Sequence, residues 1–304
     1  MSIETHYCET TLEAFEYLDK LALQGNDFIF RGHKKEEYKL KTTLHRHRKI
    51  PHSDCSDIDE MIDQFRVGLT RIGIAPFQSD SRLDWLEYAR HHGVPTPVLD
   101  FTYSPYIALF FAFNGIRKKN DSGTKEYVVV NALNISKLAM FWAKSLSNSH
   151  EFQQVRYEQF LYPTEELFKD RFRTHTLQFI PFSGKFNTRM HRQQGALLFD
   201  TLQYEAFTTF KVNNLDELIE QYVEPDTYLP DGTIVEKGSP TLHRVLINKN
   251  CVSDVFAKLE LMGISGGALF MNADGVAQDV VNAYNYNIKT CYLRDMRFKP
   301  PTDY

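Results

Sequence analysis

SRLDWLEYARHHGVPTPVLDFTYSPYIALFFAF, residues 81–113, carries the strongest structural signals in this sequence. A first helix is predicted to begin at Ser81, with Asp84 at capping-box spacing, and to end at Gly93, where a left-handed residue is tolerated. A second helix is predicted with Ser104 as its N-cap and a proline at the first helical position. The rest of that helix, YIALFFAF, is apolar on every side, so we expect it to be buried.

Polar side chains are concentrated on the short connection between these two helices. They are His91, His92, Thr96, Asp100, Thr102 and Ser104. Apolar walls leave such groups little room for hydration, and a concentration of this kind indicates a functional site.

Three of these polar groups have both a structural and a functional interpretation. Asp100 could act as a base or charge partner, or it could fix Arg31 and the loop amides, and we interpret it as serving both roles. Ser104 is mainly an N-cap, which leaves Thr102 as the better site candidate. His92 continues a helical face of aromatic residues and is expected to point inward, whereas His91 is expected to face solvent or the last carbonyl groups of the helix.

Composition limits the class of protein. The chain has 304 residues, of which 42% are hydrophobic, so a packed globule is expected. No segment is long and apolar enough to span a membrane, and MSIETHYCET lacks the features of a secretory signal. The four cysteines have no paired spacing, which favours reduced thiols in a cytoplasm over a disulfide framework or a zinc site, and no metal is expected.

Positive charge is concentrated in two segments of a chain whose net charge is −4. Residues 31–49 contain eight Lys or Arg against two Glu, and residues 171–192 contain five Lys or Arg and no acid. These segments indicate either a local surface for a polyanion, such as a dinucleotide pyrophosphate or a nucleic-acid backbone, or ordinary solvated loops.

The remaining patterns predict an α+β fold with mixed, mainly antiparallel sheets and flanking helices. Strands are predicted at 28–32, 126–133, 177–182, 195–200 and 243–248, with a hairpin or exposed loop at 225–240. Helices are predicted at 9–23, from Asp57 or Asp59 to about Arg71, within 134–170, at 251–262 and at 277–285. With no linker or repeat, residues 1–304 are interpreted as one domain, with a motif core at 26–200 and a C-terminal extension at 201–304.

The motifs resemble those of the FRG-domain family, which is named for an aromatic-Arg-Gly motif. The matching pieces are Phe30-Arg31-Gly32, residues 92–112, Arg189 with Gln193 and Gly195, and Gly263-Ile264 with Leu269-Phe270. The family box usually has Arg where this chain has Pro97, so an anion contact at that position is lost unless Arg90 replaces it.

FRG domains are in turn similar in layout to ADP-ribosyltransferases, and this second resemblance implies a similar core that uses NAD as a substrate. It implies dinucleotide contacts at Arg31, Gly32, Thr102 and Ser104, with Asp100, His92 and Gln193 around the ribose. Arg189 is the expected second phosphate contact, and Arg31 could instead form an ion pair with Asp100. Gln193 stands where a Glu is expected, and an amide cannot act as a base.

The leading hypothesis is therefore a cytoplasmic, NAD-dependent ADP-ribosyltransferase-like toxin or phage-defence effector, or an NAD glycohydrolase. Its acceptor would be a nucleic acid or a protein, and a toxin of this kind would need a neutralising antitoxin protein. The alternative is a non-catalytic module that binds a nucleotide or a nucleic acid through the same cleft, which the Gln at position 193 favours. A third interpretation assigns the central box to helix packing alone.

Overall fold

The computed structural model describes residues 2–24, 27–47, 56–116, 125–146, 149–162, 177–181, 188–200, 214–220, 227–228, 234–236 and 239–286. Over these ranges the fold is α+β, as predicted, with one seven-stranded mixed sheet, a two-stranded hairpin and flanking helices. The hairpin falls within residues 225–240, where the sequence predicted a hairpin or a loop.

The described strands are β1 (Ile3–Cys8), β2 (Phe28–His33), β3 (Val98–Thr102), β4 (Tyr127–Asn134), β5 (Leu177–Pro181), β6 (Gly195–Asp200), β7 (Thr227–Tyr228), β8 (Ile234–Glu236) and β9 (Leu242–Asn248). The large sheet has the order β1-β9-β4-β2-β3-β6-β5. Strands β1 and β9 are parallel, and the other neighbours are antiparallel. The sheet therefore interleaves strands from the predicted motif core with β9 from the C-terminal extension.

The described helices are α1 (Thr11–Ala22), α2 (Thr43–His47), α3 (Ser56–Arg71), α4 (Arg82–His91), α5 (Pro105–Phe113), α6 (Ile135–Leu146), α7 (His150–Leu161), α8 (Thr188–Arg192), α9 (Leu215–Glu220), α10 (Val252–Leu261), α11 (Gly266–Phe270) and α12 (Ala273–Tyr286). A short 3-10 helix, Lys249–Cys251, leads into α10.

The core is divided by the sheet because alternate residues of a strand face opposite sides. Phe30 belongs to a buried cluster formed with α1, α5 and α10, whereas its neighbour Ile29 belongs to a cluster formed with α6, α7 and α9. A third cluster lies where α3 and α4 cover the β3-β6-β5 end of the sheet, around Trp85 and Leu86. Helix α5 is buried along most of its length, as its all-apolar sequence predicted.

The predicted ends of the two central helices are largely correct. Ser104 is the N-cap of α5, and its hydroxyl accepts a hydrogen bond from the Ile107 amide at 3.3 Å. Gly93 ends α4 with φ +87°. The capping box predicted at Ser81 is wrong, because the Ser81 side chain makes no capping hydrogen bond. The hydroxyl of Ser79 instead donates to the Asp84 carboxylate and accepts from the Ser81 amide. These are the two groups that a capping box would have joined to each other.

Elements with weak patterns were not predicted. Strand β1 lies at a sheet edge with mostly polar side chains, and its fully buried residue is Cys8. An edge strand needs no continuous apolar run, because it has a partner on one side alone. Helices α2, α8 and α11 have five residues each and α9 has six, which is too short for a helical period to be recognised.

Gly32 permits the contact between β2 and α5. A Cβ atom at this position would lie 2.1 Å from the carbonyl oxygen of Ala108 and 2.5 Å from the amide nitrogen of Ala112. Both of these atoms belong to the backbone of α5, so neither can rotate away. The glycine of the aromatic-Arg-Gly motif therefore has a packing function.

We predict that Gly32→Ala lowers the free energy of unfolding by at least about 2 kcal/mol, because the helix must move to admit the methyl group. Gly68→Ala is the matched control, since Gly68 lies within α3 and a Cβ atom there would meet no other atom within 4 Å. That control should stabilise the protein by up to about 1 kcal/mol. Chemical denaturation measures both, and equal effects of the two substitutions would contradict the packing argument.

Candidate functional site

The site lies where β2 and β3 separate. The register gives these two strands one residue pair, Phe30–Thr102, whereas β3 pairs with β6 along its whole length. Arg31 follows that pair, and its Nη1 donates to the main-chain carbonyl oxygen of Asp100 at 2.5 Å. A guanidinium group thus replaces ladder hydrogen bonds at the point where the sheet opens.

His33 orients Arg31 from within the same strand. The Nε of Arg31 donates to Nε2 of His33 at 3.1 Å, and the His33 residue is 7% exposed. Burial, followed by the positive charge of Arg31, lowers the pKa of His33 to about 3. The imidazole is therefore neutral at physiological pH and can accept the hydrogen bond that positions Arg31.

Arg90 holds the side chain of Asp100. Its Nε and Nη2 donate to the two carboxylate oxygens, in the bidentate geometry that guanidinium and carboxylate groups favour. Its Nη1 lies 3.2 Å from the hydroxyls of both Thr43 and Thr96. The Arg90 side chain is 12% exposed and that of Asp100 is 46% exposed, so the pair forms one wall of a site open to solvent.

Asp100 is held in its ionised form. Burial by itself raises the pKa of the Asp100 carboxyl, but the charge and hydrogen bonds of Arg90, with the charge of Arg31, outweigh burial and lower the pKa. Such a carboxylate remains an anion well below neutral pH. It is consequently a weak base and a good partner for positive charge.

More positive than negative charge surrounds Asp100. Burial lowers the pKa of Arg31 to about 10, with Asp100 opposing this change and Arg90 and Arg46 adding to it. Burial also lowers the pKa of Arg189, again opposed by Asp100. Three guanidinium groups, those of Arg31, Arg90 and Arg189, thus interact with a single described carboxylate, and Arg46 adds a further positive charge near Arg31.

Arg189 reaches this site from α8. Its guanidinium carbon lies 4.5 Å from the centre of the Phe270 ring, which in turn packs on Phe110 and Phe111 of α5. Its Nε is buried and has no hydrogen-bond partner among the described residues. The Phe270 ring holds the guanidinium group in place, and the Nε–H of Arg189 can still donate a hydrogen bond. Arg189 is therefore suited to bind an anionic ligand.

The other predicted dinucleotide contacts have internal partners. The Thr102 hydroxyl donates to the Gln193 carbonyl oxygen at 2.7 Å and accepts from the Ser104 amide at 3.1 Å. Both Thr102 and Ser104 are buried, and Gly32 is packed against α5. These residues hold the site together, and their roles as ligand contacts remain predictions.

The inward orientation expected for His92 is wrong, because both His91 and His92 are exposed. The ring of His92 packs on Tyr88, with centroids 4.4 Å apart, and lies 6.1 Å from Phe65. The pKa of its neighbour His91 is lowered, first by burial and then by the charge of Arg189, with Asp100 opposing. The chain turns at the end of α4, so His91 rather than His92 faces the arginines.

The structure therefore brings Arg31, Asp100 and Arg189 together and leaves His92 on the aromatic surface beside α3. Gln193 joins the site through its backbone, while its side-chain Nε2 lies 3.5 Å from the Leu269 carbonyl oxygen. The sequence predicted for Arg90 only that it could replace the family arginine that is missing at position 97, and it predicted no role for His33. The spacing of ten residues from Arg90 to Asp100 carries no recognisable signal, because a loop separates their elements.

Within the described ranges, no three His, Cys, Asp or Glu side chains come together in a way that could hold a metal ion. None of the helices in these ranges combines the length and the apolar character that crossing a bilayer requires.

We predict that Thr102→Val destabilises the protein by about 1–3 kcal/mol, because it leaves the partly buried Gln193 carbonyl and the buried Ser104 amide without their partner. Thr102→Ser keeps the hydroxyl and should recover most of the loss. Thermal and chemical denaturation compare the two variants. If Val and Ser are equally stable, the hydroxyl has no structural function.

The lowered pKa of Asp100 predicts a pH-dependent contribution to stability. A carboxyl group whose pKa is lower in the folded state stabilises the protein above its unfolded value of about 3.9, and this contribution is lost as pH falls through the folded pKa. Asp100→Asn should therefore cost most near neutral pH, and the difference from wild type should shrink as the solution is acidified.

Unfolding free energies measured across this pH range test the prediction. Arg90→Gln provides the control, because without the Arg90 charge the effect of Asp100→Asn should depend much less on pH. A constant difference between wild type and Asp100→Asn at all pH values would contradict the assignment.

Comparison with known proteins agrees with the motifs. The family model of the FRG domain matches residues 26–121, which include β2, α4, β3 and α5. No curated protein and no solved structure matches the chain. The aromatic-Arg-Gly strand, the Asp100 segment and the apolar helix are all within the matched residues, so this part of the chain is similar to the FRG domain.

Proposed function

We propose that this FRG-like domain binds the phosphate groups of a nucleotide, with NAD as the expected ligand. The observation that supports the proposal is the excess of arginine over carboxylate where β2 and β3 separate. Arg31, Arg90 and Arg189 share a single described acidic partner, Asp100, and the charge of Arg46 also acts on Arg31.

The energetics favour an anionic ligand over an empty site. Arg31 and Arg189 are partly buried cations whose pKa values are lowered by burial. A diphosphate would supply negative charge and several acceptors, and Arg is the side chain best suited to bind it bidentately. A carboxylate ligand would neutralise less of the positive charge than a diphosphate.

The proposed binding is tested by calorimetric titration with ADP, NAD and adenosine. ADP and NAD should bind, and adenosine, which lacks phosphate, should bind at least about tenfold more weakly. Arg189→Ala should weaken ADP binding about 10- to 100-fold, since a hydrogen bond to a charged group contributes about 1.5–3 kcal/mol.

Arg71→Ala is the matched control, because it removes the same charge from the exposed end of α3. It should leave the affinity for ADP nearly unchanged. The proposal fails if adenosine binds as tightly as ADP, or if the Arg189 and Arg71 substitutions have equal effects.

A second candidate function is NAD-dependent ADP-ribosyl transfer or NAD hydrolysis. It is supported by the arrangement of the three motif segments on adjacent strands: Arg31 on β2, Asp100 on β3 and Gln193 two residues before β6. In this reaction the bond between nicotinamide and ribose C1′ breaks and its electron pair leaves with nicotinamide. The oxygen of an acceptor hydroxyl or of water then bonds to C1′, and the proton of that oxygen passes to solvent.

The chain's own residues would contribute charge and position to that reaction. Asp100, kept ionised by Arg90, could stabilise positive charge on the ribose. Neither it nor Gln193 is suited to be a strong general base. An effector that modifies nucleic acid or protein, and an antitoxin that neutralises it, both depend on this second function.

Release of nicotinamide from NAD, with and without RNA, DNA and protein as acceptors, distinguishes the two functions. Transfer predicts release that Asp100→Asn abolishes while ADP still binds. Saturable binding of NAD without any release would limit the site to nucleotide recognition.

A further inference from the structure

A second feature next to the arginines is a cavity of about 590 Å³. It lies between the first turn of α5, the end of α8 and the segment that joins α10 to α11. Its lining residues include Ser104, Ile107, Gln194, Ile264, Ala268 and Leu269. Ligand sites for small molecules commonly have volumes of about 300–1,000 Å³, so the cavity has a suitable size.

The cavity adjoins the arginine site through shared structural elements. Leu269 lines the cavity, and the next residue, Phe270, supports the guanidinium of Arg189. Ser104 also lines the cavity and is four residues from Asp100, which corresponds to at most about 13 Å of extended chain. An extended dinucleotide is long enough to contact both places.

The lining combines apolar walls with hydrogen-bonding groups and a cation. Ile107, Ile264 and Leu269 provide the apolar walls. Gln194 and Ser104 provide polar groups, and Arg192 adds a guanidinium group. A nucleobase joined to a ribose matches this lining, because it has a flat apolar face, several hydrogen-bonding atoms and a ring on which a guanidinium group can stack.

We infer that this cavity receives the base-and-ribose end of the nucleotide whose phosphates the arginines bind. The inference rests on the proposed function, and it assigns a position to the part of the ligand that the arginines do not bind. It also assigns a binding role to residues 262–269, which are outside the residues matched by the family model.

The wall formed by these residues is firmly held. The Asp279 carboxylate of α12 accepts hydrogen bonds from the amides of Gly266 at 2.6 Å and Gly267 at 2.7 Å. A Cβ at Gly266 would lie 2.5 Å from the Gly275 carbonyl oxygen, so α11 and α12 are in direct backbone contact. Helix α12 therefore fixes the segment that forms one wall of the cavity.

Filling the cavity tests the inference. Ala268→Phe adds a ring without removing a packed apolar side chain, and Leu261→Phe is the control at a position that is 81% exposed. The probes are ADP and inorganic pyrophosphate, titrated by calorimetry. Ala268→Phe should weaken ADP at least about tenfold and leave pyrophosphate within about twofold, and Leu261→Phe should change neither.

Ile264→Ala, which removes part of the wall, gives a second measurement if Ala268→Phe does not fold, and it should also weaken ADP but not pyrophosphate. The inference is overturned, and the phosphate proposal retained, if ADP binds the folded variants as tightly as wild type. Equal loss of ADP and pyrophosphate would also overturn it. Failure of both probes to bind wild type would instead contradict the proposed function itself.

Discussion

Asp100 accepts hydrogen bonds from two arginines through different atoms. Its carboxylate oxygens accept from Arg90 of α4, and its main-chain carbonyl oxygen accepts from Arg31 of β2. These contacts connect α4 and β2 to β3, at the point where β2 and β3 separate. Both guanidinium groups are largely buried, so they need a negative charge nearby to offset their lost hydration. The ionised Asp100 side chain supplies that charge, and the two arginines in turn lower the pKa of Asp100. The site nevertheless retains more positive charge than one carboxylate can balance, which is the physical basis for proposing an anionic ligand.

The opening in the sheet depends on a second constraint, the close approach of α5 to β2. Gly32 admits the α5 backbone, and Ser104 caps the same helix from the end of β3. Thr102 then ties β3 to the turn before β6 through the Gln193 carbonyl oxygen. The glycine, threonine and serine of the motifs therefore maintain the scaffold, while the arginines supply the chemistry. This division explains how one short box of sequence can contribute to both stability and binding.

Much of this fold could be predicted from local sequence signals. The N-cap and proline that begin α5, and the left-handed Gly93 that ends α4, depend on the residues beside them. The role of Arg90, the packing of Gly32 and the outward position of His92 depend on partners far away in sequence or on the direction of a helix end, so no local pattern contains them. The predicted α+β class is correct, whereas the likeness to an ADP-ribosyltransferase core remains a prediction, and Gln193 still lacks the carboxylate that such a core would use.

The central claim, that the arginines beside Asp100 bind phosphate, is tested most directly by NMR of protein labelled with ¹⁵N-arginine. The Nε–H signals of Arg31 and Arg189 report on those two groups during a titration with ADP, and the exposed Arg71 serves as an internal reference. We predict saturable shifts of the Arg31 and Arg189 signals with no comparable change at Arg71. Binding of ADP that leaves both signals unmoved would place the ligand elsewhere and contradict the claim.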